Sequence, residues 1–389
     1  MNDSVEKLKL DLVSKFKMSF GTHECIKFAP GRANIIGEHT DYNEGFVLPF
    51  AIDKGLFFVA GKNDENVLKI SAIDTHEDAV IDLRHDSHEL KFGWEKFFIQ
   101  ILKAMSKYDI HGINLVFGGN LPIGAGISSS SAITCGLISV LNELYGLEMD
   151  AAQMVRKAVE AEVGYGVRGG MMDQFTIING KENQCILLDC RDLSYQYLEL
   201  NLENAGFYLI NTNVKHNLID TDYNNRRSEC EKALELINKY FKPKKSLREV
   251  ELDELSSIEP FLDARLFNRV KFVVEENTRV LEAKKMLDSG NMMGLGELLF
   301  KSHKGLRELY QVSCLELDWL VEFAQSQKQI LGARMMGGGF GGCTINLIEG
   351  GLDIKSSELI KSEYFKAFGF YPTIISIKSG NGLAHSQHI

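Results

Sequence analysis

The sequence feature that most constrains this chain is a glycine- and serine-rich segment, residues 121–132, that reads LPIGAGISSSSA. Its glycines, Gly124 and Gly126, allow backbone conformations that other residues avoid. Four consecutive serines then lead into an apolar run at residues 133–147 that predicts a helix. A glycine turn that feeds a helix N-terminus presents unpaired N–H groups to a phosphate. The segment therefore predicts a phosphate-binding loop.

The serines of this segment could cap the helix, contact phosphate oxygens or lend a hydroxyl to Mg²⁺. The pattern is not the GxxxxGK[ST] loop, since no lysine follows the glycines. A glycine turn ahead of a serine-capped helix, with no ligand, is the alternative.

Length and composition bound the fold and the partners. A chain of 389 residues is long enough for two domains. Its 44% hydrophobic and 25% charged content is typical of a soluble globular protein. The formal net charge of -10 argues against nucleic acid or an anionic membrane as the main partner. No apolar run approaches the roughly 18 residues of a membrane span.

The seven cysteines include no CxxC pair, and no signal peptide is visible. This usage predicts reduced thiols in a cytoplasmic protein.

A second unusual stretch covers residues 30–53, PGRANIIGEHTDYNEGFVLPFAID, and predicts a polar loop that ends in a strand. So many different polar groups in one loop suit a ligand with several hydroxyls. A solvated turn is the alternative, because DYNEG alone has good turn chemistry. The polar residues of this loop are Arg32, Asn34, Glu38, His39, Asp41, Tyr42 and Asn43.

Two further glycine-rich stretches occur later in the chain. Residues 164–179, GYGVRGGMMDQFTIIN, place Asp173 alone among apolar residues, a setting that favours a shifted pKa and a catalytic role. A structural aspartate that caps a helix or turn is the alternative. Residues 332–343, GARMMGGGFGGC, predict a loop that lets the backbone approach a ligand or forms a tight turn.

In this order, the stretches together resemble the GHMP kinase superfamily and, within it, the galactokinase family. Residues 31–42, called the sugar-signature segment below, resemble the galactokinase signature, with Ala33 where the family usually has Val. Residues 122–132 resemble the PxGxGLSSSA motif, with Ile127 for Leu and Ser131 where Ala is usual. Residues 335–343 resemble the third motif, with GGGFGGC intact. The segments GMMDQF (170–175) and NVKHNL (213–218), followed by Tyr223, also fit the family.

The resemblance implies an α+β, two-domain GHMP kinase fold with the active site in a cleft between the domains. Residues 1–205 would form an N-terminal ribosomal-S5-like mixed-sheet domain with the sugar signature and the Gly/Ser loop. Residues 206–389 would form a C-terminal ferredoxin-like α+β domain. The implied reaction is phosphorylation of the anomeric hydroxyl of α-D-galactose by ATP, which is the first committed step of galactose catabolism.

The resemblance also implies the roles of individual residues. Asp173 would orient or deprotonate the sugar O1 hydroxyl, and Arg32 would stabilise that carboxylate and the transferring phosphoryl group. The implied galactose-binding residues are Glu38, His39, Asp41, Gly170 and Tyr223. The implied ATP-binding residues are Gly124, Ala125, Gly126, Ile127, Ser128, Ser129 and Ser130.

Magnesium is the implied cofactor of ATP, with Ser130 and Glu162 on its side. The family usually carries an AENE-type segment before the catalytic aspartate, and here AEVGYGVRGG is one residue shorter. Glu162 is the best match for the acidic residue of that segment, and its register stays open.

Two alternatives share these motifs. One is N-acetylgalactosamine kinase or another sugar-1-kinase, and the other is a non-catalytic galactose and ATP sensor. The presence of Asp173, Arg32 and the unbroken serine run favours the enzyme. We expect galactose and ATP as the only partners, with no nucleic acid and no membrane, and a monomer or a weak homo-oligomer in the cytoplasm.

Overall fold

The structure, a computed structural model, describes residues 3–84, 92–122, 126–166, 168–214 and 219–385. Its helices are α1 (Asp3–Phe20), α2 (Glu95–Ala104), α3 (Ser129–Leu144), α4 (Ala151–Tyr165), α5 (Met172–Asn179), α6 (Ile219–Tyr240), α7 (Leu255–Ile258), α8 (Ala264–Asp288), α9 (Met292–Gly305), α10 (Leu315–Ser326) and α11 (Ile354–Phe368). Its strands are β1 (Cys25–Asn34), β2 (Phe46–Val47), β3 (Pro49–Asn63), β4 (Val67–Ala72), β5 (Glu77–Asp82), β6 (Gly112–Gly119), β7 (Gln184–Asp189), β8 (Tyr195–Glu199), β9 (Ala205–Asn211), β10 (Ile330–Met335), β11 (Cys343–Glu349) and β12 (Thr373–Ile377).

The first sheet has the strand order β1-β3-β6-β4-β5, with β4 and β6 parallel and the other neighbours antiparallel. Strand β3 is buried on both faces because successive side chains point to opposite sides of the sheet. Phe57 and Val59 pack with α1, whereas Leu56 and Phe58 belong to the main core that includes α3. Gly136 of α3 lets that helix approach closely, since a Cβ there would lie 2.2 Å from the Phe58 ring. The sheet is thereby fixed against α3, the helix that follows the Gly/Ser loop.

The second sheet is antiparallel, with the order β10-β11-β9-β12. Helices α6 to α10 connect β9 to β10, and α11 connects β11 to β12. This βαββαβ connectivity is that of a ferredoxin-like layer. The expected two-domain α+β fold is therefore confirmed, and the division at residue 205, where β9 begins, stays a prediction.

A third sheet, β2-β7-β8, joins the short strand β2 to the antiparallel strands β7 and β8 that follow α5. Helix α4 begins at a capping box, since the Asp150 side chain accepts from the Gln153 N–H and the Gln153 side chain accepts from the Asp150 N–H. None of the helices in the described ranges is long and apolar enough to cross a bilayer.

Two predicted loops are partly strands. Arg32 and Asn34 were predicted in a loop after Pro30, but β1 continues through them to Asn34. Pro30 is tolerated because β1 is an edge strand and its pairing shifts register between Pro30 and Arg32. Likewise β10 includes Gly332, at the start of the third glycine motif, because Gly332 packs directly on the backbone of Gly296.

Candidate active site

Arg32 and Asp173 form a two-pronged ion pair at the base of a cleft. The guanidinium donates from Nε to Asp173 Oδ1 at 2.7 Å and from Nη2 to Oδ2 at 3.0 Å. Its third nitrogen, Nη1, donates to the Gly126 carbonyl at 2.7 Å. Burial lowers the pKa of Arg32, but the carboxylates of Asp173 and Glu38 outweigh this and raise it above its ordinary value. The arginine therefore connects the carboxylate to the phosphate loop as a permanent cation.

Asp173 lies in the first turn of α5, where the helix dipole favours negative charge. It also accepts a short hydrogen bond from the Ser128 hydroxyl at Oδ2. Ser128 occupies the N-cap position of α3 in a left-handed conformation (φ 61°) and makes no side-chain cap bond. The serine that sequence reasoning offered as a helix cap is thus directed to the aspartate instead. The Asp173 side chain is therefore held by Arg32 and by this hydroxyl at the positive end of α5.

The described part of the phosphate loop begins at Gly126; Gly124 and Ala125 lie outside the described residues. Gly126 has φ 67°, a left-handed conformation that favours glycine. Ile127 is buried in the main core, and its carbonyl accepts from the Arg32 N–H at 3.3 Å. Ser129 and Ser130 open α3, so their N–H groups lie at the positive end of the helix.

Glu38 is buried and lines the same cleft. Its Oε1 accepts from both terminal nitrogens of Arg334 at 3.2 Å and from the Gly337 N–H at 2.9 Å. Arg334 is in β10, so a sugar-signature carboxylate is held from the C-terminal half of the chain.

His39 is buried in a left-handed conformation and is held neutral. Burial is the main cause that lowers its pKa to about 3, and the nearby Arg226 adds to the effect. Its Nδ1 shares a hydrogen bond of 2.9 Å with the Tyr42 hydroxyl, which in turn bonds the Tyr310 hydroxyl at 2.8 Å. The other ring nitrogen, Nε2, has no hydrogen-bond partner among the described residues. A buried nitrogen without a partner suits a ligand hydroxyl.

Asp41, Gly170 and Tyr223 complete this side of the cleft. Asp41 packs on the backbone of Gly170 so closely that a Cβ there would lie 2.2 Å from Asp41 Oδ2. Burial, and then the charge of Asp173, raise the pKa of Asp41 to about 7. Tyr223, on α6, has its ring 5.4 Å from that of His39.

Glu162 lies near the end of α4 and lines the cleft together with Ser130. Its Oε1 is buried with no hydrogen-bond partner among the described residues. Burial raises its pKa to about 7, while hydrogen bonds from Ser131 and Gln174 act in the opposite direction. An orphan carboxylate oxygen beside a hydroxyl is a donor set that Mg²⁺ accepts, with phosphates and water as its other ligands. Among the described residues, no cluster of three or more His, Cys, Asp or Glu side chains could hold a metal alone.

The cleft has a volume of about 160 Å³ and brings together most of the residues singled out from the sequence. Sequence reasoning missed the other lining residues: Ser131, Gly169, Met172, Gln174, Asn224, Gly337 and Gly338. Most of these residues are adjacent in the chain to a predicted site residue or belong to the third glycine motif. Arg334 was missed as well, and no local pattern in the sequence indicates its partner.

Three family profiles match the chain. The galactokinase galactose-binding signature matches residues 14–62, the GHMP kinase N-terminal domain matches residues 96–181, and the GHMP kinase C-terminal domain matches residues 283–356.

Curated relatives extend this similarity over nearly the whole chain. Galactokinase from Thermotoga neapolitana is 39% identical over 91% of this chain and 98% of its own length. Galactokinase from Clostridium beijerinckii is 37% identical over 97% of this chain and 98% of its own length.

Solved structures agree with the sequence relatives. The structure of Lactococcus lactis galactokinase complexed with galactose superposes with a TM-score of 0.92, at 31% identity, and covers 98% of this chain and 100% of that one. Methanococcus jannaschii mevalonate kinase, at 19% identity and a TM-score of 0.64 over 93% of this chain and 100% of that one, shares the fold. The chain with the Arg32–Asp173 pair and the buried sugar-signature segment therefore belongs to the galactokinase family of GHMP kinases.

Proposed function

We propose that this protein is a galactokinase, which transfers the γ-phosphoryl group of ATP to the anomeric hydroxyl of α-D-galactose and releases galactose 1-phosphate and ADP. The observation that carries the proposal is the Arg32–Asp173 pair, which connects the phosphate loop to the residues of the sugar-signature segment. The similarity to galactokinases over more than nine-tenths of the chain supports the same activity.

Phosphoryl transfer asks the protein mainly to align the acceptor hydroxyl and to offset developing negative charge. Asp173, held in place by Arg32 and Ser128, would orient the O1 hydroxyl and accept its proton. Arg32 would keep that carboxylate in place and stabilise charge on the transferring phosphoryl group.

ATP would bind with its phosphates over residues 124–130, at the N-terminus of α3. Gly126 and Ser128 both have a left-handed backbone, with φ of 67° and 61°. Ser130 and Glu162 would hold Mg²⁺, because they supply a hydroxyl and an unpartnered carboxylate oxygen on one wall. When bound, Mg²⁺ neutralises phosphate charge and orients the triphosphate.

Galactose would be bound and recognised by Glu38, His39, Asp41, Gly170 and Tyr223. The neutral His39 offers Nε2, and the buried carboxylates of Glu38 and Asp41 offer acceptor oxygens. A sugar that lacks a matched hydroxyl would leave one of these buried groups unpaired, which is costly. We propose that galactose and ATP are the partners and that no nucleic acid takes part.

We propose a cytoplasmic location as well. All seven cysteines are free thiols, and most are buried in the core. Free thiols suit a reducing compartment.

A coupled assay of ADP release over a panel of monosaccharides tests the proposed activity. We expect turnover with galactose, weaker turnover with N-acetylgalactosamine and none with glucose, together with one galactose 1-phosphate formed for each ADP. Preferred turnover of N-acetylgalactosamine would assign the protein to the other sugar-1-kinases. Tight galactose binding without ADP release would identify a sensor.

A further inference from the structure

Arg334, near the start of the third glycine-rich stretch, makes an unusual set of contacts for a residue that does not line the cleft. It is completely buried in β10, yet it reaches the sugar-signature segment about 300 positions earlier in the chain. Its Nε donates to the Ile35 carbonyl at 2.7 Å, and Nη2 donates to the Asn34 carbonyl. The arginine therefore holds the backbone that leads to Glu38.

The same guanidinium also fixes one oxygen of Glu38. Oε1 accepts from Nη1 and Nη2 of Arg334 and from the Gly337 N–H. Three donors saturate that oxygen. The hydrogen bonds that described residues donate to this carboxylate all go to Oε1, and Glu38 lines the cleft. The two oxygens of Glu38 are thus not equivalent.

We infer that Arg334 is a positioning residue for sugar recognition, which holds Glu38 Oε1 so that Oε2 alone faces the sugar as a hydrogen-bond acceptor. The inference rests on the proposed function and adds a residue to it. A carboxylate that could rotate freely would offer either oxygen at variable angles, whereas a clamped one selects a hydroxyl at one position. Arg334 acts through Glu38 and does not itself line the cleft.

The three hydrogen bonds that fix Glu38 Oε1, called the clamp below, determine which way an amide at position 38 would face. In Glu38→Gln the three donors require an acceptor, so the amide oxygen must take the place of Oε1. The NH₂ group then faces the sugar, and an acceptor becomes a donor. Glu38→Gln should therefore weaken galactose binding nearly as much as Glu38→Ala, although it removes little volume.

Arg334→Met and Arg334→Lys test the clamp through steady-state kinetics with galactose and ATP varied separately. A hydrogen bond to a charged group is worth enough that Arg334→Met should raise the KM for galactose by about 10- to 100-fold. The KM of Arg334→Lys for galactose should lie between those of the wild type and Arg334→Met, because lysine keeps the charge but loses the forked donor geometry of the guanidinium. The KM for ATP should stay within about twofold. The double variant Arg334→Met/Glu38→Gln should be no weaker for galactose than the more affected single variant.

Arg269→Lys is the matched control. Arg269 is also almost completely buried, and it donates to Glu229 at 2.7 Å and Gln311 at 2.9 Å, neither of which lines the cleft. The Arg269→Lys substitution should lower the unfolding temperature without changing the KM for galactose. If Arg334→Met does not fold, Arg334→Lys decides the question.

The inference is wrong if folded Arg334→Lys keeps the wild-type KM for galactose, if it loses galactose and ATP affinity equally, or if the double variant shows additive losses. These outcomes differ from failure of the proposed function, which is judged on the unmodified protein. If that protein does not phosphorylate galactose, the function fails; if it does and the Arg334 variants behave as the control, only the positioning role fails.

Discussion

At the scale of single residues, burial sets the chemistry of the cleft. His39 is held neutral, so it can bond a sugar hydroxyl without presenting a positive charge. Asp41 and Glu162 are carboxylic acids whose pKa values are both raised to about 7, mainly by burial. Asp173 has other surroundings, since its side chain is bound by a bidentate arginine and a serine hydroxyl.

The raised pKa of Asp41 predicts a pH-dependent stability of the ligand-free protein. The unfolded chain releases this proton near the ordinary aspartate pKa of 3.8, whereas the raised pKa of the folded protein holds it until about pH 7. Between these values the folded state binds more protons, so the free energy of unfolding should fall as the pH rises, by at most about 1.4 kcal/mol per unit. Urea unfolding at pH 5, 6, 7 and 8 measures this. Asp41→Asn should reduce the slope, and an identical slope in both proteins would refute the assignment.

A second prediction concerns Glu162 and its open register. If its unpartnered oxygen faces Mg²⁺, Glu162→Gln should lower the rate and raise the Mg²⁺ concentration needed for half-maximal activity. A titration of activity against Mg²⁺ checks both effects. Glu160→Gln is the control, because Glu160 is exposed on the same helix. Equal Mg²⁺ requirements in the two variants would mean that the shortened segment has moved Glu162 away from the metal.

At the scale of elements, the sequence predicted the loops better than the strands beside them. The glycine and serine pattern of residues 121–132 predicted the turn before α3. The pattern did not predict that β1 continues past Pro30 or that β10 includes Gly332. Pro30 is tolerated because β1 is an edge strand, and Gly332 is tolerated because it packs on the backbone of Gly296. Neither condition is visible without the neighbouring strand or helix.

The phosphate loop carries the next prediction. Gly126→Val should abolish ATP binding while galactose binding persists, because the side chain would project where phosphate is expected. Gly146→Val is a matched control, since Gly146 has a similar φ of 57°, compared with 67°, and a Cβ there meets nothing within 4 Å. Both variants carry backbone strain of about 1–2 kcal/mol or more, so both should lose stability. Calorimetry on the folded variants should show lost ATP affinity only at position 126. Intact ATP affinity there would show that the loop does not cradle phosphate.

At the scale of the whole molecule, side chains from the C-terminal half hold the sugar-signature segment in place. Glu276 of α8 accepts from the Gly37 N–H at 3.0 Å, and its neighbour Asn277 accepts from the N–H of Phe46, in β2 just after the segment, at 2.8 Å. Arg334 adds its contacts to the same segment. The cleft is therefore a product of the complete fold.

This organisation explains which site residues could be predicted from the sequence. Residues such as Glu38 and Ser130 lie in short motifs whose glycines and polar groups already indicate a ligand. Arg334 and Glu276 meet the sugar-signature segment across more than 200 positions, and no local spacing encodes such a pairing. In a single sequence Arg334 is one charged residue in a glycine-rich stretch, and nothing in that stretch indicates a pairing with Glu38.

The Arg32–Asp173 pair should also behave as one unit across the two parts of the chain that it connects. Arg32→Ala should severely lower the initial rate, and the double variant Arg32→Ala/Asp173→Asn should be little slower than either single variant. Initial rates of the three proteins give the comparison. Additive losses would assign Arg32 to the phosphate and Asp173 to the sugar as separate roles.

The turnover of Asp173→Asn with galactose and ATP is the most direct measurement of whether this cleft phosphorylates a sugar hydroxyl through Asp173. The amide keeps the size of the side chain but removes its charge and basicity, so kcat should fall by about 10²–10⁴-fold or more. Galactose affinity, measured by calorimetry on the same protein, should change far less, because an amide can still accept a hydrogen bond from the sugar. Near-wild-type kcat in a folded Asp173→Asn protein would contradict the assignment of Asp173 as the group that acts on the sugar hydroxyl.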